Sequence, residues 1–310
     1  MLKVLLLFTI LINLHALTFN EAAQNLKDKK YNLALEQLTT LALDDDSNAQ
    51  YNLGLMNYKG LGLDVNKELA FFWYEQAANN GNMKAQNNLA HMYYMGEGIK
   101  KDLKKSKYWY EQSALQGFAL AQLNIGMQYE RSAKKENLEK AFYWYEKAAS
   151  QGVIMAQNNL ASMYYFGKGI KKDLDKAFYW YTKAAKANNP VAQLNLGVMY
   201  LIGDSVEKDF DEAIYWLEKS AIAGNRTAQL KIADIYREGN ITDINYEKAF
   251  DFYYLASKQG STKAMYYIGF FYFEGYGVQK DEGEAKVWMK KAEALGHKRA
   301  KNFLEQKLSN

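Results

Sequence analysis

The chain contains no cysteine and only one proline, Pro190. The absence of cysteine excludes disulfide bonds, thiolate zinc sites and cysteine nucleophiles. It leaves the redox compartment open, because a chain without thiols is indifferent to redox potential. The single proline removes one backbone N–H, which costs little in a turn between repeats.

Histidine is also scarce, since the chain has only His15, His91 and His297. These residues lie far apart, and no cluster of His, Asp and Glu has the spacing of metal ligands. No glycine-rich phosphate loop joins a strand to a helix. The formal net charge of +4 is too small to indicate nucleic-acid binding. We therefore predict no catalytic residues, no metal, no cofactor and no nucleic-acid partner.

Long hydrophobic runs are absent except at the start of the sequence. Lys3 precedes an apolar run from Val4 to Leu14, and Ala16 is a candidate cleavage position. A short basic region, an apolar run too short to cross a bilayer and a small residue are typical of a signal peptide. Residues 1–16 are predicted to be a cleaved signal peptide, with an uncleaved anchor as the alternative. The mature chain is expected to be periplasmic or secreted, without a transmembrane segment.

The chain instead repeats one phrase at a fixed distance. The six residues AQYNLG, from Ala49 to Gly54, return as AQNNLA from Ala85 to Ala90. Later copies keep a spacing of 36 residues, with one spacing of 35. A period of this size is typical of a stacked array of small units rather than of a globular enzyme core. The repeated alanines are Ala49, Ala85, Ala121, Ala156, Ala192, Ala228, Ala264 and Ala300.

Each repeat is predicted to form two helices joined by glycine turns. In the second repeat, one helix runs from about Ala85 to Met95 and ends at a Gly-x-Gly turn. The other runs from Leu103 to Leu115, with Asp102 as its N-cap and Gly117 after its end. The third repeat lacks the glycine turn, having RSAK at 131–134, and the sixth lacks the second glycine.

All six tryptophans occupy one position in the second helix of a repeat. A pair of small residues, such as Ala148-Ala149, follows four residues later. A large side chain one helical turn from small side chains is typical of packing between helices. We predict a structural role, with an aromatic ladder for sugars or bases as the weaker interpretation. The set is Trp73, Trp109, Trp144, Trp180, Trp216 and Trp288.

These features together resemble the Sel-one-like repeat, a relative of the tetratricopeptide repeat. The residues that carry the resemblance are Ala-Gln-x-Asn-Leu-Gly/Ala, the Gly-x-Gly turn, Lys-Ala-x-x-Trp and the Ala-Ala…Gly close, nearly all of them present in 156–191. The resemblance implies an all-α, right-handed superhelical solenoid. Its expected parts are a TPR-like N-terminal capping helix pair over 19–48, seven repeats over 49–299 and a capping helix over 300–310.

Some exported relatives of this family carry a β-lactamase label, which defines an alternative function. The chain has two Ser-x-x-Lys strings, at 132–135 and 205–208, in turns between helices. Neither is accompanied by Ser-Asp-Asn or Lys-Thr-Gly, and the labelled relatives are rich in cysteine pairs that this chain lacks. The alternative is an envelope β-lactamase-like hydrolase or a protein that binds peptidoglycan fragments.

The favoured function is a non-catalytic scaffold that holds a protein or peptide partner. By analogy with tetratricopeptide proteins, positions two, six and nine after each repeat alanine line the concave groove. These positions vary between repeats, and several are apolar or aromatic, as at partner sites. The predicted binding residues are Tyr58, His91, Tyr94, Tyr165, Phe270 and Phe273.

An asparagine also recurs three residues after five of the repeat alanines, at Asn52, Asn88, Asn124, Asn159 and Asn195. Such a residue can bond an extended peptide, but more often it satisfies groups between neighbouring helices. We favour the structural role.

Overall fold

The computed structural model describes residues 18–132 and 134–308, which form seventeen α-helices and no β-strand. The predicted signal peptide over 1–16 lies outside the described residues. The described chain divides between Gln151 and Gly152 into two compact units, unit 1 and unit 2. The prediction of an all-helical array of helix-pair repeats is confirmed.

Unit 1 contains eight helices, in which each helix packs mainly against its neighbours in sequence. The first two precede the repeats and form a helix pair of their own. The helices are α1 (Phe19–Lys27), α2 (Tyr31–Leu43), α3 (Ser47–Lys59), α4 (Lys67–Asn79), α5 (Met83–Met95), α6 (Leu103–Leu115), α7 (Ala119–Glu130) and α8 (Lys135–Ser150).

Unit 2 contains nine helices and has the same pattern of neighbour packing. Its last helix follows the seventh repeat. The helices are α9 (Ile154–Phe166), α10 (Leu174–Lys186), α11 (Pro190–Ile202), α12 (Phe210–Ile222), α13 (Arg226–Glu238), α14 (Tyr246–Lys258), α15 (Thr262–Glu274), α16 (Glu282–Ala294) and α17 (Lys298–Lys307).

The ends of the helices follow from capping chemistry. Helix α6 spans the predicted residues, and the Asp102 side chain accepts hydrogen bonds from the backbone N–H groups of Lys104 and Lys105. Helix α5 begins at Met83, two residues before the prediction. The reason is that Asn82 is its N-cap and bonds the N–H of Ala85, which places the repeat alanine in the first turn. The same offset moves the start of the first repeat helix to Ser47 and that of the last helix to Lys298.

The third repeat differs because it lacks the glycine turn. Helix α7 ends at Glu130 without a left-handed cap, and the following helix α8 has 16 residues where the other second helices of the repeats have 13. At the matching place in the second repeat, Gly96 ends α5 with a φ of 81°. The sixth repeat keeps Gly239 in the left-handed conformation although its second glycine is absent.

In four repeats a deeply buried tyrosine directly follows the tryptophan. Tyr145 and Tyr181 are almost completely buried, whereas four of the six tryptophans are half-buried and only Trp144 and Trp216 are buried. The residue before each tryptophan is exposed and, in five repeats, meets the indole edge-on at about 5 Å, as Tyr179 meets Trp180. One residue turns about 100° around a helix, so the tyrosine faces the first helix while the indole lies at the rim of the core.

Buried glutamines connect successive repeats. The Gln229 Nε2 donates to the carbonyl of Ala221, near the end of the preceding helix, at 2.9 Å. Its Oε1 accepts from Gln259 Nε2, in the next repeat, at 2.9 Å. The pair of Gln86 and Gln116 repeats this arrangement. Each repeat glutamine in these pairs thus adds a side-chain donor to a carbonyl at the end of the preceding helix and links that helix to the next repeat.

Candidate partner-binding groove

The first helices of the repeats in unit 1 form a continuous face that contains two adjoining cavities. This face, here called the unit-1 groove, is carried by α3, α5 and α7. One cavity, of about 280 Å³, is lined by Tyr51, Leu55, Tyr58, Lys59, Tyr74, Asn88 and His91. The other, of about 190 Å³, is lined by His91, Tyr94, Tyr110, Asn124, Met127, Gln128 and Arg131.

Three of the six predicted binding residues come together here. Tyr58 lines the first cavity, Tyr94 lines the second, and the exposed His91 belongs to both. Positions six and nine after the repeat alanine therefore do face one surface. Sequence reasoning missed the floor, which consists of Tyr74 and Tyr110 from the second helices. The recurrence of tyrosine directly after tryptophan was the available signal for them.

Tyr58 is fixed in place by charged neighbours. Its hydroxyl donates to Glu97 Oε2 at 2.5 Å, and Lys67 Nζ lies 3.0 Å from the ring centroid. Lys67 also lies 3.8 Å from Glu97 Oε2. Burial and then the bond to Glu97 raise the pKa of Tyr58 to about 12. The ring therefore presents a fixed wall to the cavity.

Tyr94 has no such anchor, and its hydroxyl has no hydrogen-bond partner among the described residues. The place of Glu97 in the next repeat is taken by Ala133, so the acidic side chain is missing. The ring instead lies between two cations, with Arg131 at 5.2 Å and Lys101 at 5.5 Å from its centroid. Tyr94 thus keeps a free hydroxyl at the edge of the cavity.

Asparagine side chains of the first helices bond one another and the backbone along the groove. Asn88 Oδ1 accepts from Asn87 Nδ2 at 3.2 Å, and Asn124 Nδ2 donates to Asn87 Oδ1 at 3.1 Å. Asn52 Nδ2 donates to the Asn48 carbonyl at 2.8 Å. These amides bond groups of the protein itself, as the structural interpretation of the recurring asparagine requires.

Tyr165 lies in unit 2 and repeats the arrangement of Tyr58. Its hydroxyl donates to Asp204 Oδ2 at 2.7 Å, the equivalent acidic place in the next repeat. This bond and then burial raise the pKa of Tyr165. The side chain is half-buried, and its hydroxyl is already engaged within the protein.

Phe270 and Phe273 contact the last helix of unit 2. The ring centroid of Phe303 in α17 lies 6.2 Å from that of Phe270 and 5.1 Å from that of Phe273. Phe270 also packs on Tyr276 at 5.9 Å. Both phenylalanines therefore pack against α17, because that helix follows the last repeat and lies against its first helix.

The two Ser-x-x-Lys strings do not bring lysine to the serine hydroxyl in any contact of the described residues. The Ser132 hydroxyl donates to the Tyr129 carbonyl at 3.0 Å, and the Ser205 hydroxyl donates to Asp175. Among residues 18–132 and 134–308, no group of three or more His, Asp or Glu could hold a metal ion. No helix in that part of the chain is both long and apolar enough to span a bilayer.

Comparison with known proteins identifies the family of the repeats. The Sel1 repeat model matches seven successive stretches, 47–82, 84–118, 119–153, 154–189, 190–225, 227–261 and 262–297. A search of curated proteins found no match.

Two solved structures share the fold. A Sel1 repeat protein from Oxalobacter formigenes is 29% identical, with a TM-score of 0.75 over 94% of this chain and 88% of that chain. A protective antigen present in uropathogenic Escherichia coli strains, which displays an SLR fold, is 28% identical. Its TM-score is 0.70 over 87% of this chain and 66% of that chain.

Proposed function

The chain belongs to the Sel1 repeat family, whose repeats generally serve as protein-interaction modules, and on that premise we propose that it is an exported scaffold. Its partner is a protein or peptide segment that lies in the unit-1 groove. The observation that carries the proposal is the pair of adjoining cavities with tyrosine walls and a tyrosine floor. Preformed aromatic surfaces bind with a small ordering cost and supply anchors.

The chemistry of the lining indicates what the segment carries. Lys59 and Arg131 are the charged side chains that line the two cavities, and Lys101 lies beside Tyr94. The other lining groups are tyrosines, amides, His91, Leu55 and Met127. A segment with an apolar or aromatic side chain and neighbouring carboxylates would satisfy both the rings and the cations.

Tyr94 is the proposed main anchor. Its hydroxyl has no hydrogen-bond partner in the part of the chain that the structure describes, whereas those of Tyr58 and Tyr165 are engaged by Glu97 and Asp204. His91, shared by both cavities, is the proposed polar contact. Tyr165, Phe270 and Phe273 remain predicted contacts of unit 2, although their observed contacts serve the fold.

Export is proposed from the sequence of residues 1–16. It is supported by the kind of protein that shares the fold, since one relative is described as a protective antigen. Mass spectrometry of the protein from its native host should find a mature N-terminus near residue 17 in the periplasmic or culture fraction. An intact N-terminus in the cytoplasmic fraction would contradict this part of the proposal.

The groove is tested by placing a photo-reactive aromatic residue at Tyr94 and, as a matched control, at Tyr108. Tyr108 is an exposed tyrosine of the same repeat that lies beside Trp109 on α6, away from the cavities. Irradiation in the native envelope should give a discrete adduct from position 94 and none from position 108. Tyr94→Lys should abolish binding of the adduct partner, and Tyr108→Lys should retain it.

Equal adducts from both positions would place the partner elsewhere. Loss of binding in both lysine variants, with unchanged circular dichroism, would show that the effect comes from net charge and not from the groove.

A further inference from the structure

A cationic pocket lies in unit 2 between α15 and the start of α17. It has a volume of about 300 Å³ and is lined by Lys263, Tyr266, Tyr267, His297, Lys298 and Arg299. Three of the six lining residues are cations, two are tyrosines and one is a histidine. The pocket is separate from the unit-1 groove, and its argument does not depend on the proposed partner there.

The positive charge of this pocket is only partly neutralised within unit 2. Lys263 Nζ lies 2.5 Å from Asp234 Oδ2, but Asp234 is shared with Arg237, whose Nη2 lies 3.7 Å from Oδ1. Lys298 and Arg299 are exposed and form no ion pair among residues 152–308. Two cations thus face the cavity without a carboxylate partner.

The histidine orients a further donor. His297 Nδ1 accepts the backbone N–H of Ala300 at 3.3 Å, so in the neutral ring the proton is on Nε2. The imidazole stacks on Tyr266 with ring centroids 4.9 Å apart. Burial and then Arg299 lower the pKa of His297, as expected beside uncompensated positive charge. Arg237 lies 4.5 Å from the centroid of Tyr267 and extends the cationic rim.

We propose that this pocket binds an oxyanion, either a carboxylate or a phosphate group, through Lys298, Arg299 and His297, with Tyr266 and Tyr267 against the apolar part of the ligand. Lysine and arginine donate charge-assisted hydrogen bonds to such groups, and an arginine fork fits two of their oxygens. The half-buried tyrosines limit the size of the ligand to a small molecule or one side chain.

Calorimetric titration of the full chain tests the proposal with two probes, inorganic phosphate and a triglutamate peptide. We expect at least one of them to bind in a one-to-one ratio. The double variant Lys298→Gln/Arg299→Gln should weaken that binding by about tenfold or more, since two charged donors are removed. The ratio of the two affinities distinguishes a phosphate site from a carboxylate site.

The matched control is Lys290→Gln/Lys301→Gln, which removes the same charge from α16 and α17 outside the pocket. It should change the affinity by less than about twofold, as expected for screened surface charges. An equal loss in both double variants would show that the binding is non-specific and would overturn the proposal, as would the absence of binding by either probe.

A second readout is independent of affinity. An anion beside the imidazole favours its protonated form, so the bound probe should raise the pKa of His297 in an NMR titration. The groups around this imidazole are Tyr266, Lys263, Lys298 and Arg299. With inorganic phosphate as the probe, His91, in unit 1, serves as the internal reference. A shift of His91 alone, or of neither histidine, would contradict the assignment of the pocket.

Discussion

Replacing Ala223 with glutamine should stabilise unit 2, although this residue is exposed. Ala223 stands in the place that Gln259 occupies one repeat later, and Gln259 gives the buried Gln229 Oε1 its hydrogen bond. The corresponding atom of Gln193, Oε1, is buried and has no hydrogen-bond partner within residues 18–132 and 134–308. Ala223→Gln would supply the missing donor.

The magnitude follows from the cost of a buried, unpaired acceptor, which is about 1–3 kcal/mol. Ordering a glutamine side chain offsets up to roughly 1.5–2 kcal/mol when the side chain is fully buried, and less at an exposed place such as this. We expect a net gain of roughly 0.5–1 kcal/mol in the free energy of unfolding. The mirror change, Gln259→Ala, should cost about 1–2 kcal/mol because it leaves Gln229 in the state of Gln193.

Urea unfolding followed by circular dichroism measures both changes, provided that the slope is unchanged between variants. Ala223→Met is the matched control, because methionine has a similar length but no amide donor. The reasoning would be refuted if Ala223→Met stabilised the chain as much as Ala223→Gln, or if Gln259→Ala were neutral.

Three further outcomes are expected. Tyr181→Ala should lower the free energy of unfolding by about 3–5 kcal/mol in a urea titration, because the side chain is buried. Tyr179→Ala, on the exposed side of the same helix, should lower it by less than about 1 kcal/mol, and equal losses would contradict the burial pattern. Gly98→Ala should destabilise by about 1–3 kcal/mol, because φ is +67° and a Cβ would lie 2.4 Å from the Lys67 carbonyl oxygen. Gly81→Ala, with φ +83° and no atom within 4 Å, should cost about 1 kcal/mol in the same titration. The raised pKa of Tyr58 favours the neutral phenol in the folded state. The contribution of this phenol to the free energy of unfolding is therefore complete below pH 10 and is lost as the pH rises to about 12. The melting temperature of Tyr58→Phe should fall less over that interval than that of the unaltered chain.

The repeat phrase and its glycines were enough to predict the helices. The predicted second helix of repeat two, Leu103–Leu115, is the observed one, because Asp102 and the terminal glycine act locally. The repeat phrase predicts a start for the first helix that is two residues late, since Ala85 is the most regular residue but Asn82 is the cap. Local signals thus locate helices well, and the cap chemistry decides the last two residues.

Side-chain depth was harder to predict, because neighbours on other helices decide it. Tryptophan is the largest residue of each repeat, yet Tyr181 is deeper than Trp180, since the face toward the first helix belongs to the tyrosine. Likewise, the sequence position of Phe270 predicts a groove residue, but Phe303 of the last helix contacts it. A terminal helix gives the side chains of the last repeat contacts that the same positions lack in earlier repeats. The repeat period alone does not predict those contacts.

The irregular third repeat explains why the surroundings of the proposed anchor Tyr94 differ from those of Tyr58. In a regular pair of repeats, the tyrosine nine residues after the repeat alanine bonds an acidic side chain of the next turn, as Tyr58 bonds Glu97. In the third repeat the sequence has Ala133 at the acidic place and Ser132 at the place of the turn glycine. The Tyr94 hydroxyl has no hydrogen-bond partner among the described residues, and Arg131 lies 5.2 Å from the ring centroid. Packing keeps the buried positions of all repeats nearly uniform, so a change in a turn alters the surface without disturbing the core. A departure from the repeat pattern in such a turn therefore supports the proposed anchor at Tyr94 more specifically than the presence of an aromatic residue does.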